Sequence, residues 1–393
     1  MPFEYFYLIY WCSYYIEDMR RLLLSSAAFC GRLALWETMR LSHIFQRREN
    51  ACVIGILLAT VLWNECFALL LKSLFWNVPS PEPGAARFLI VADPQLIGYQ
   101  DEHWLVGPFA RWDSDRYLGR SFQLAMTVLK PDVVVFMGDL MDEGVKMSQK
   151  EWAATLSRFQ SVYAMAEHVQ KIYLPGDNDV GGEYEPVSPK LLERFRTAFP
   201  NKFDASRLGL GKISFTETNV MNGEQRNLSP AESNQTFRIV LSHVLVTTSW
   251  NAKTQNMLYD LNPDLILSAH DHVAVVYSRR ARGDVHFERL TAPDLPNTVR
   301  FLSSSRHPRI ELQYPTCSYR MGVKDMGFGV VQIGVVEGGK SLNVVSSLIW
   351  LPSRFHQLYL YAVVVVLVAI CTVIRRVCCR AQKHVIYERL KLF

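Results

Sequence analysis

Five segments of this chain end in carboxylate, imidazole or amide residues, and four of them do so directly after a short apolar run. The runs are Phe88-Leu-Ile-Val-Ala, Val133-Val-Val-Phe-Met, Ile239-Val-Leu-Ser and Leu265-Ile-Leu-Ser-Ala; the fifth is the shorter Lys171-Ile-Tyr-Leu-Pro. Unbroken β-branched runs of this length read as strands covered on both faces. Their endings are Asp93-Pro94-Gln95, Gly138-Asp139, Gly176-Asp177-Asn178-Asp179, His243, and His270-Asp271-His272. An open α/β sheet presents its ligand site at the carboxyl ends of its strands. A single Asp after a strand is often only a helix cap, but five such endings together define a site. Mixed carboxylate and imidazole donors suit Mn, Fe or Zn better than the all-oxygen shells of Ca or Mg.

The spacing between these runs sets the fold class. Helical periodicity at 114–129, 149–169, 189–198 and 253–261 alternates with the strands, which predicts crossover units and a largely parallel sheet. Beyond His272, Val273-Ala-Val-Val-Tyr and Gly327-Phe-Gly-Val-Val-Gln-Ile-Gly-Val read as further strands, placed in the second sheet of an α/β sandwich flanked by helices. Residues 217–236 are polar and rich in Asn and Ser, a surface loop. Residues 77–86 form a Pro-rich linker into the first strand.

Two segments predict membrane-spanning helices, 51–71 and 358–374, on either side of a domain at 77–355. Only Asn64 and Glu65 are strongly polar in the first, and a carboxylate at that depth needs a partner, the other helix or the interface. Basic residues crowd the outer flank of each span: Arg20, Arg21, Arg32, Arg40, Arg47 and Arg48 before the first, and Arg375, Arg376, Arg380, Lys383, Arg389 and Lys391 after the second. That distribution predicts cytosolic termini (1–50 and 375–393) and a lumenal domain. Asn227-Leu-Ser and Asn234-Gln-Thr are glycosylation acceptors inside the lumenal part, the first weakened by Pro230. Seven of the eight cysteines lie in the spans or tails, so the domain, with Cys317 alone, has no internal disulfide. Residues 3–16 are aromatic and apolar but too short to span; they lie along the membrane surface or form a tail. The basic tail holds Cys378 and Cys379 as candidates for acylation beside the bilayer. A net charge of +5 with no basic run interleaved with aromatics excludes a nucleic-acid partner.

The order of the five endings resembles the calcineurin-like metallophosphoesterase superfamily, whose pattern is Asp-x-His, Gly-Asp, Gly-Asn-His-Asp/Glu, His and Gly-His-x-His. The resemblance covers about 87–276. Carried over position by position, it implies two divalent cations, Mn first and Fe or Zn as alternatives, bridged by Asp139. Asp93, Gln95 and His272 would hold one, and Asp177, His243 and His270 the other. Asp139, Asn178 and His270 would serve catalysis. Three positions depart from the family. Gln95 stands for a His and Asp177 for an Asn, the latter adding a negative charge. Asn178 stands for the His that protonates the leaving group, which an amide cannot do.

Further stretches narrow the resemblance. Asp113-Ser-Asp-Arg-Tyr-Leu, Gly138-Asp-Leu-Met-Asp-Glu-Gly, Tyr314-Pro-Thr-Cys-Ser-Tyr-Arg-Met-Gly and the two flanking spans are similar to the early-secretory membrane branch of the superfamily. That implies a Mn-dependent lumenal phosphodiesterase of the endoplasmic reticulum, intermediate compartment or cis-Golgi. It would remove ethanolamine phosphate from the glycan of the glycosylphosphatidylinositol (GPI) lipid or of GPI-anchored proteins. Arg320, in the Tyr314–Gly322 stretch, becomes a candidate phosphate contact. The ending Arg389-Leu-Lys391-Leu-Phe resembles a basic retrieval signal through which coat or cargo receptors would bind, although a membrane-flanking basic tail reads the same way. Two other functions fit the same residues: a metallophosphatase on another lipid or protein phosphate, and a metal-binding adaptor in export without turnover.

Overall fold

In a computed structural model the described residues are 50–229, 237–249, 251–279, 285–290, 298–303, 309–336 and 341–390. Asn234 and residues 1–49 lie outside them. The chain divides into two compact units, residues 1–63 with 361–393, and residues 64–360. Among the described residues, the larger unit carries all the strands.

Two sheets are formed. The first contains β1 (Ala85–Val91), β2 (Val133–Phe136), β3 (Gln170–Tyr173), β10 (Thr298–Ser303), β12 (Gly327–Val336) and β13 (Ser341–Trp350), in the order β10-β13-β12-β1-β2-β3. The second contains β4 (Ile213–Asn219), β5 (Glu224–Asn227), β6 (Phe237–Leu241), β7 (Leu265–Ser268), β8 (Ala274–Arg279), β9 (Val285–Leu290) and β11 (Arg309–Gln313), in the order β5-β4-β6-β7-β11-β8-β9. β1, β2 and β3 run parallel, as do β4, β6, β7 and β11.

The period of two within each run decides what the sheets bury. Phe88 and Ile90 of β1 point into a core shared with Phe215, Ile239, Leu241, Leu265 and Leu267 of the other sheet. Phe88 stacks on Phe215 at 5.7 Å between ring centroids. Leu89 and Val91, one residue out of phase, join a second core under α2 (Gly107–Leu129), α3 (Gln149–Val162) and α5 (Pro189–Ala198). Val240 and Ile266 meet α6 (Ala252–Leu261) on the far side. The result is the expected α/β sandwich with helices on both outer faces. A one-turn helix, α4 (Asp177–Val180), lies between β3 and α5.

Local signals explain the helix ends. Ser148 and Glu151 close a reciprocal capping box on α3, and Ser188 caps α5 ahead of Pro189. The α3 helix stops at Val162, short of the periodic pattern that runs to 169, because Tyr163 leaves the helical region at φ −105°, ψ 34°. The α2 helix starts at Gly107, seven residues before the apolar period, with Pro108 in its first turn. Two strand placements also differ from the sequence reading. The Gly327 run pairs antiparallel with β1 in the first sheet, since β1 needs a partner on the edge away from β2. Part of the polar stretch 217–227 is strand, with Glu217 buried and ion-paired to Arg226 at 2.7 Å.

Both apolar segments are helical. α1 (Asn50–Ser73) has a mean hydropathy of 2.0, and Arg354–Cys378 within α7 (Arg354–Leu390) has 2.5. These two helices are long and apolar enough to cross a membrane. The α1 helix contains a π-helical turn, Trp63–Phe67, which carries Asn64 and Glu65.

Candidate metal centre

Parallel strands in both sheets end at the same place, and the sequence-predicted ligands lie in the first few residues beyond them. β1 leads to Asp93 and Gln95, β2 to Asp139, β3 to Asp177, β6 to His243, and β7 to His270 and His272. Backbone bonds between the loops lock them together: Gln95 N donates to the Asp139 carbonyl at 2.9 Å, and Ala269 N to that of His243 at 3.0 Å.

The backbone itself marks the site. Among the described residues, seven non-glycine residues have positive φ: Asp93, Gln95, Lys130, Asp139, Asn262, His270 and His272. Lys130 and Asn262 close helices in the left-handed conformation. The other five are all predicted ligands. Each such residue costs on the order of 1–3 kcal/mol, and this strain persists where surrounding structure enforces it, most often at functional sites.

Asp139, Asp177, His243 and His270 present ligand atoms that all lie within 4.8 Å of one another. His243 is the centre of this group. Its Nδ1 lies 2.8 Å from the Met137 carbonyl and its Nε2 3.0 Å from Asp177 Oδ1. The carbonyl can only accept, so Nδ1 carries a proton; Nε2, which donates to Asp177 while the ring is charged, is the nitrogen that a cation would take on displacing that proton. His270 Nδ1 approaches the same Asp177 oxygen at 3.1 Å. Two glycines make room. A Cβ on Gly138 would come within 2.4 Å of His243 Nδ1, and one on Gly176 within 2.1 Å of Asp139 Oδ1.

The remaining predicted ligands flank this group. Gln95 Nε2 lies 3.1 Å from Asp139 Oδ2 and 3.3 Å from His272 Nε2, so ligation through Oε1 requires a half-turn of its amide. Asp93 is fully buried, 3.7 Å from His243 Nδ1, and neither of its carboxylate oxygens has a hydrogen-bond partner. A buried carboxylate with no donor is strongly disfavoured unless a cation meets it.

The electrostatics follow from the crowding. Burial pushes the Asp93 carboxyl up to about 6 against the pull of His243 and His270, and burial also raises Asp139 well above the usual carboxylate range. For His243, burial disfavours the charged ring, but Asp139, Asp177 and Asp93 outweigh it and raise the ring to about 10. His272 is held down at about 4 by burial and by the neighbouring His270 and His243. Asp177 is also buried, but the hydrogen bonds from His243 and His270 keep it well below the ordinary range. Carboxylates crowded around imidazoles, with an orphaned pair of oxygens among them, form a donor set that fits divalent cations.

Asn178 stands apart from the role that its position suggests. Its backbone N–H donates to Asp139 Oδ1 at 2.9 Å and its side-chain Nδ2 to Asp139 Oδ2 at 3.0 Å. It holds the Asp139 carboxylate from both sides. Arg320 reaches the Glu102 carboxylate and does not join the clustered ligands. Asn227 is exposed, its Oδ1 accepting from Ser229 N at 3.2 Å.

Several supporting residues carried no signal as ligands. Asp179, fully buried, accepts backbone N–H groups from Leu140, Met141 and Gly176 at 3.1, 3.0 and 3.0 Å, which fastens the Asp139 loop to the Asp177 loop. Glu143 accepts from Tyr99, Gln100 and Asp101. Glu311 accepts from Val246 and Thr247 just past His243. Gln313 donates to the Ala269 carbonyl and to Asp271 beside His270. Thr316 Oγ1 donates to the Asp93 carbonyl at 2.7 Å. The available signal for two of them is a Glu and a Gln alternating within the apolar strand Arg309-Ile-Glu-Leu-Gln, on positions a buried strand would otherwise fill with hydrocarbon.

Residues 86–274 match the family described as calcineurin-like phosphoesterase. Those residues are similar to a calcineurin-like phosphoesterase domain. Metallophosphoesterase 1 of Rattus norvegicus is 30% identical over 178 residues, 42% of this chain and 44% of that protein. The Metallophosphoesterase 1 homolog of Drosophila melanogaster is 31% identical over 135 residues, 34% of this chain and 35% of its own length. Metallophosphoesterase 1 of Xenopus laevis is 32% identical over 162 residues, covering 39% and 38%. The chain thus spans less than half the length of these curated relatives. The matched region runs from β1 to the start of β8 and includes every predicted metal ligand of the metallophosphoesterase domain.

Proposed function

We propose that this protein is a metal-dependent phosphodiesterase that acts on a membrane-anchored phosphodiester, the ethanolamine phosphate of a GPI glycan, within the early secretory pathway. The observation that carries the hydrolase reading is the convergence of Asp139, Asp177, His243 and His270 within 4.8 Å, next to the buried carboxylate of Asp93. The substrate and compartment rest on the resemblance to the early-secretory branch and on the two apolar helices, which suit a substrate held at a bilayer.

When bound, two divalent cations supply Lewis-acid stabilisation of the phosphoryl oxygens and lower the pKa of an attacking water. The chain's own residues do the rest. Asp139 is held by two N–H donors of Asn178, so its two oxygens keep a fixed orientation for bridging. His243, with Nδ1 tied to Met137, presents Nε2 without tautomeric choice. His270, half-exposed beside Asp177, is placed to contact a phosphoryl oxygen entering from solvent. Asn178 supplies no proton, which suits a leaving group that departs with little protonation.

The Asn178–Asp139 bonds also favour a second reading, a metal-binding adaptor without turnover, because they commit this side chain to a carboxylate rather than to a leaving group. One assay separates the readings. The full chain, purified in detergent with added Mn, is expected to hydrolyse an ethanolamine-phosphate glycolipid faster than p-nitrophenyl phosphate, and chelation is expected to abolish this. Turnover of the monoester alone supports a phosphatase on another substrate. Stoichiometric metal with neither activity supports the adaptor.

A further inference from the structure

Helix α2 has two sides, and the core uses only one. Tyr117, Leu118, Phe122, Ala125 and Leu129 are buried in the core beneath it. On the other side, Phe109, Trp112, Arg116 and Arg120 recur at three- and four-residue spacing and form one stripe. The C-terminal half of that stripe is occupied: Arg116 and Arg120 pair with Glu65 at 3.0 and 2.6 Å. The N-terminal half is apolar and open. Phe109 is 71% exposed and Trp112 60%, and Trp104 just before the helix is 78% exposed.

Three observations within the 64–360 unit say what covers this face. The first is position. The same helix holds the inner end of each long apolar helix: Glu65 of α1 through Arg116 and Arg120, and Arg354, the first residue of α7, through Asp113. Tyr117 Oη adds a bond to the Pro352 carbonyl at 3.0 Å. Trp112 lies one turn from Arg116, roughly 6 Å along the axis, so the open stripe begins next to the point where α1 is held. The second is composition. Residues 104–112, Trp-Leu-Val-Gly-Pro-Phe-Ala-Arg-Trp, contain two Trp and a Phe and no acidic residue, and Arg116 lies 5.4 Å from the centroid of the Trp112 ring. Trp and Arg together are the chemistry of the headgroup layer, where the ring sits among glycerol esters and the guanidinium meets phosphate. The third is contiguity. Large apolar side chains exposed side by side mark an interaction surface rather than ordinary solvent-facing residues.

We propose that the N-terminal half of α2, with Trp104 and Leu105, lies in the headgroup layer of the bilayer that α1 and α7 enter. The inference rests on reading those two helices as membrane spans. It gives the 64–360 unit a lipid contact of its own. Residues 96–103 join this face to the Asp93 and Gln95 ligand loop, and Glu143 clamps that connection at Tyr99, Gln100 and Asp101. The orientation at the bilayer is thereby tied to the rim of the metal centre.

Photo-crosslinking tests it. The full chain is reconstituted into phosphatidylcholine vesicles with a benzophenone side chain placed, one at a time, at Phe109, Trp112, Val366 of α7 and the exposed Tyr184. Lipid adducts at Phe109 and Trp112 several-fold above Tyr184, and approaching Val366, are expected. Labelling of Val366 with Phe109 and Trp112 no better than Tyr184 overturns this contact and leaves the spans intact. No lipid adduct at Val366 overturns the spans as well. Adducts from Phe109 to protein rather than lipid assign the face to a protein partner and overturn the proposal.

Discussion

Asp139 concentrates the arguments that can be made from a single side chain. Its carboxylate lies at the junction of both ligand sets, and Asn178 grips it with two N–H donors. Asp139→Asn removes the charge shared between the two positions, so the variant is expected to lose at least one bound cation by elemental analysis and its diesterase activity, with an unchanged far-ultraviolet spectrum. Near-normal metal content in that variant would contradict the bridging assignment. Asn178→Ala keeps the backbone donor on Oδ1 but removes the Nδ2 donor from Oδ2, so the carboxylate is held from one side only. Partners of metal ligands typically contribute about 10–100-fold in affinity, and a fall of that size in a metal titration is expected here. A loss of rate at full metal occupancy would return Asn178 to a role at the substrate instead. Gly138→Ala is a steric counterpart: its φ of +100° and the 2.4 Å approach to His243 Nδ1 leave a methyl no space. That variant is expected to lose metal through a displaced His243 even though no ligand is changed.

At the scale of elements, the strand runs and the residues that follow them were legible because burial on both faces of a parallel sheet leaves an unbroken apolar signal. The order of ligands along the chain survived for the same reason, since strand ends are fixed by the sheet. The residues that hold the loops were not legible. Asp179 reads in sequence only as one more carboxylate of the Gly176-Asp177-Asn178-Asp179 ending, whereas its three backbone N–H bonds, made across 39, 38 and 3 positions, depend on two loops meeting in space. The Gly327 strand went to the unexpected sheet because an apolar run states that it is buried, not which neighbour it pairs with. Residues 217–227 looked like a loop because the edge strand β5 is polar and the end of β4 buries polar side chains, Glu217 against Arg226. Asp179→Ala is therefore expected to act as an element-scale lesion. Each buried donor left unsatisfied costs about 1–3 kcal/mol, so three together predict a loss of at least about 3 kcal/mol in denaturant unfolding of the detergent-purified protein. A smaller loss would mean that water replaces the carboxylate. The cluster at the end of α1 offers a parallel contrast. Arg354, with a side chain 2% exposed, is bonded to Asp113 and Glu65, and removing one partner of a buried pair costs about 3–5 kcal/mol. Arg116, 42% exposed, is expected to cost under about 1 kcal/mol as alanine. Thermal unfolding that ranks these two variants the other way round would remove Arg354 from its place as the anchor of α7.

The whole molecule is organised by where its charge lies relative to its apolar helices. Glu65, the one acid in an otherwise uncharged span, is met by Arg116, Arg120 and Arg354, so a residue that would be costly in hydrocarbon becomes the attachment of the helix to the domain. On the proposed reading of α1 as a span, its bilayer boundary falls at or before Asn64 and the basic residues on its other flank set the orientation. On the proposed topology both termini are cytosolic, the domain from about 77 to 355 is lumenal, and its glycosylation acceptors meet the oligosaccharide-transfer machinery. Asn234-Gln-Thr has the better sequence, a Thr and no following Pro, while Asn227-Leu-Ser precedes Pro230 and its side chain already accepts from Ser229 N. Glycosidase treatment of the full-length protein from cells is thus expected to increase its mobility, Asn234→Gln to remove most of that increase, and Asn227→Gln to remove little. In sealed microsomes an added protease is expected to trim only the tails. Cleavage within residues 80–350 under those conditions would invert the topology, place the metal centre in the cytosol, and remove the lumenal GPI glycan from its reach.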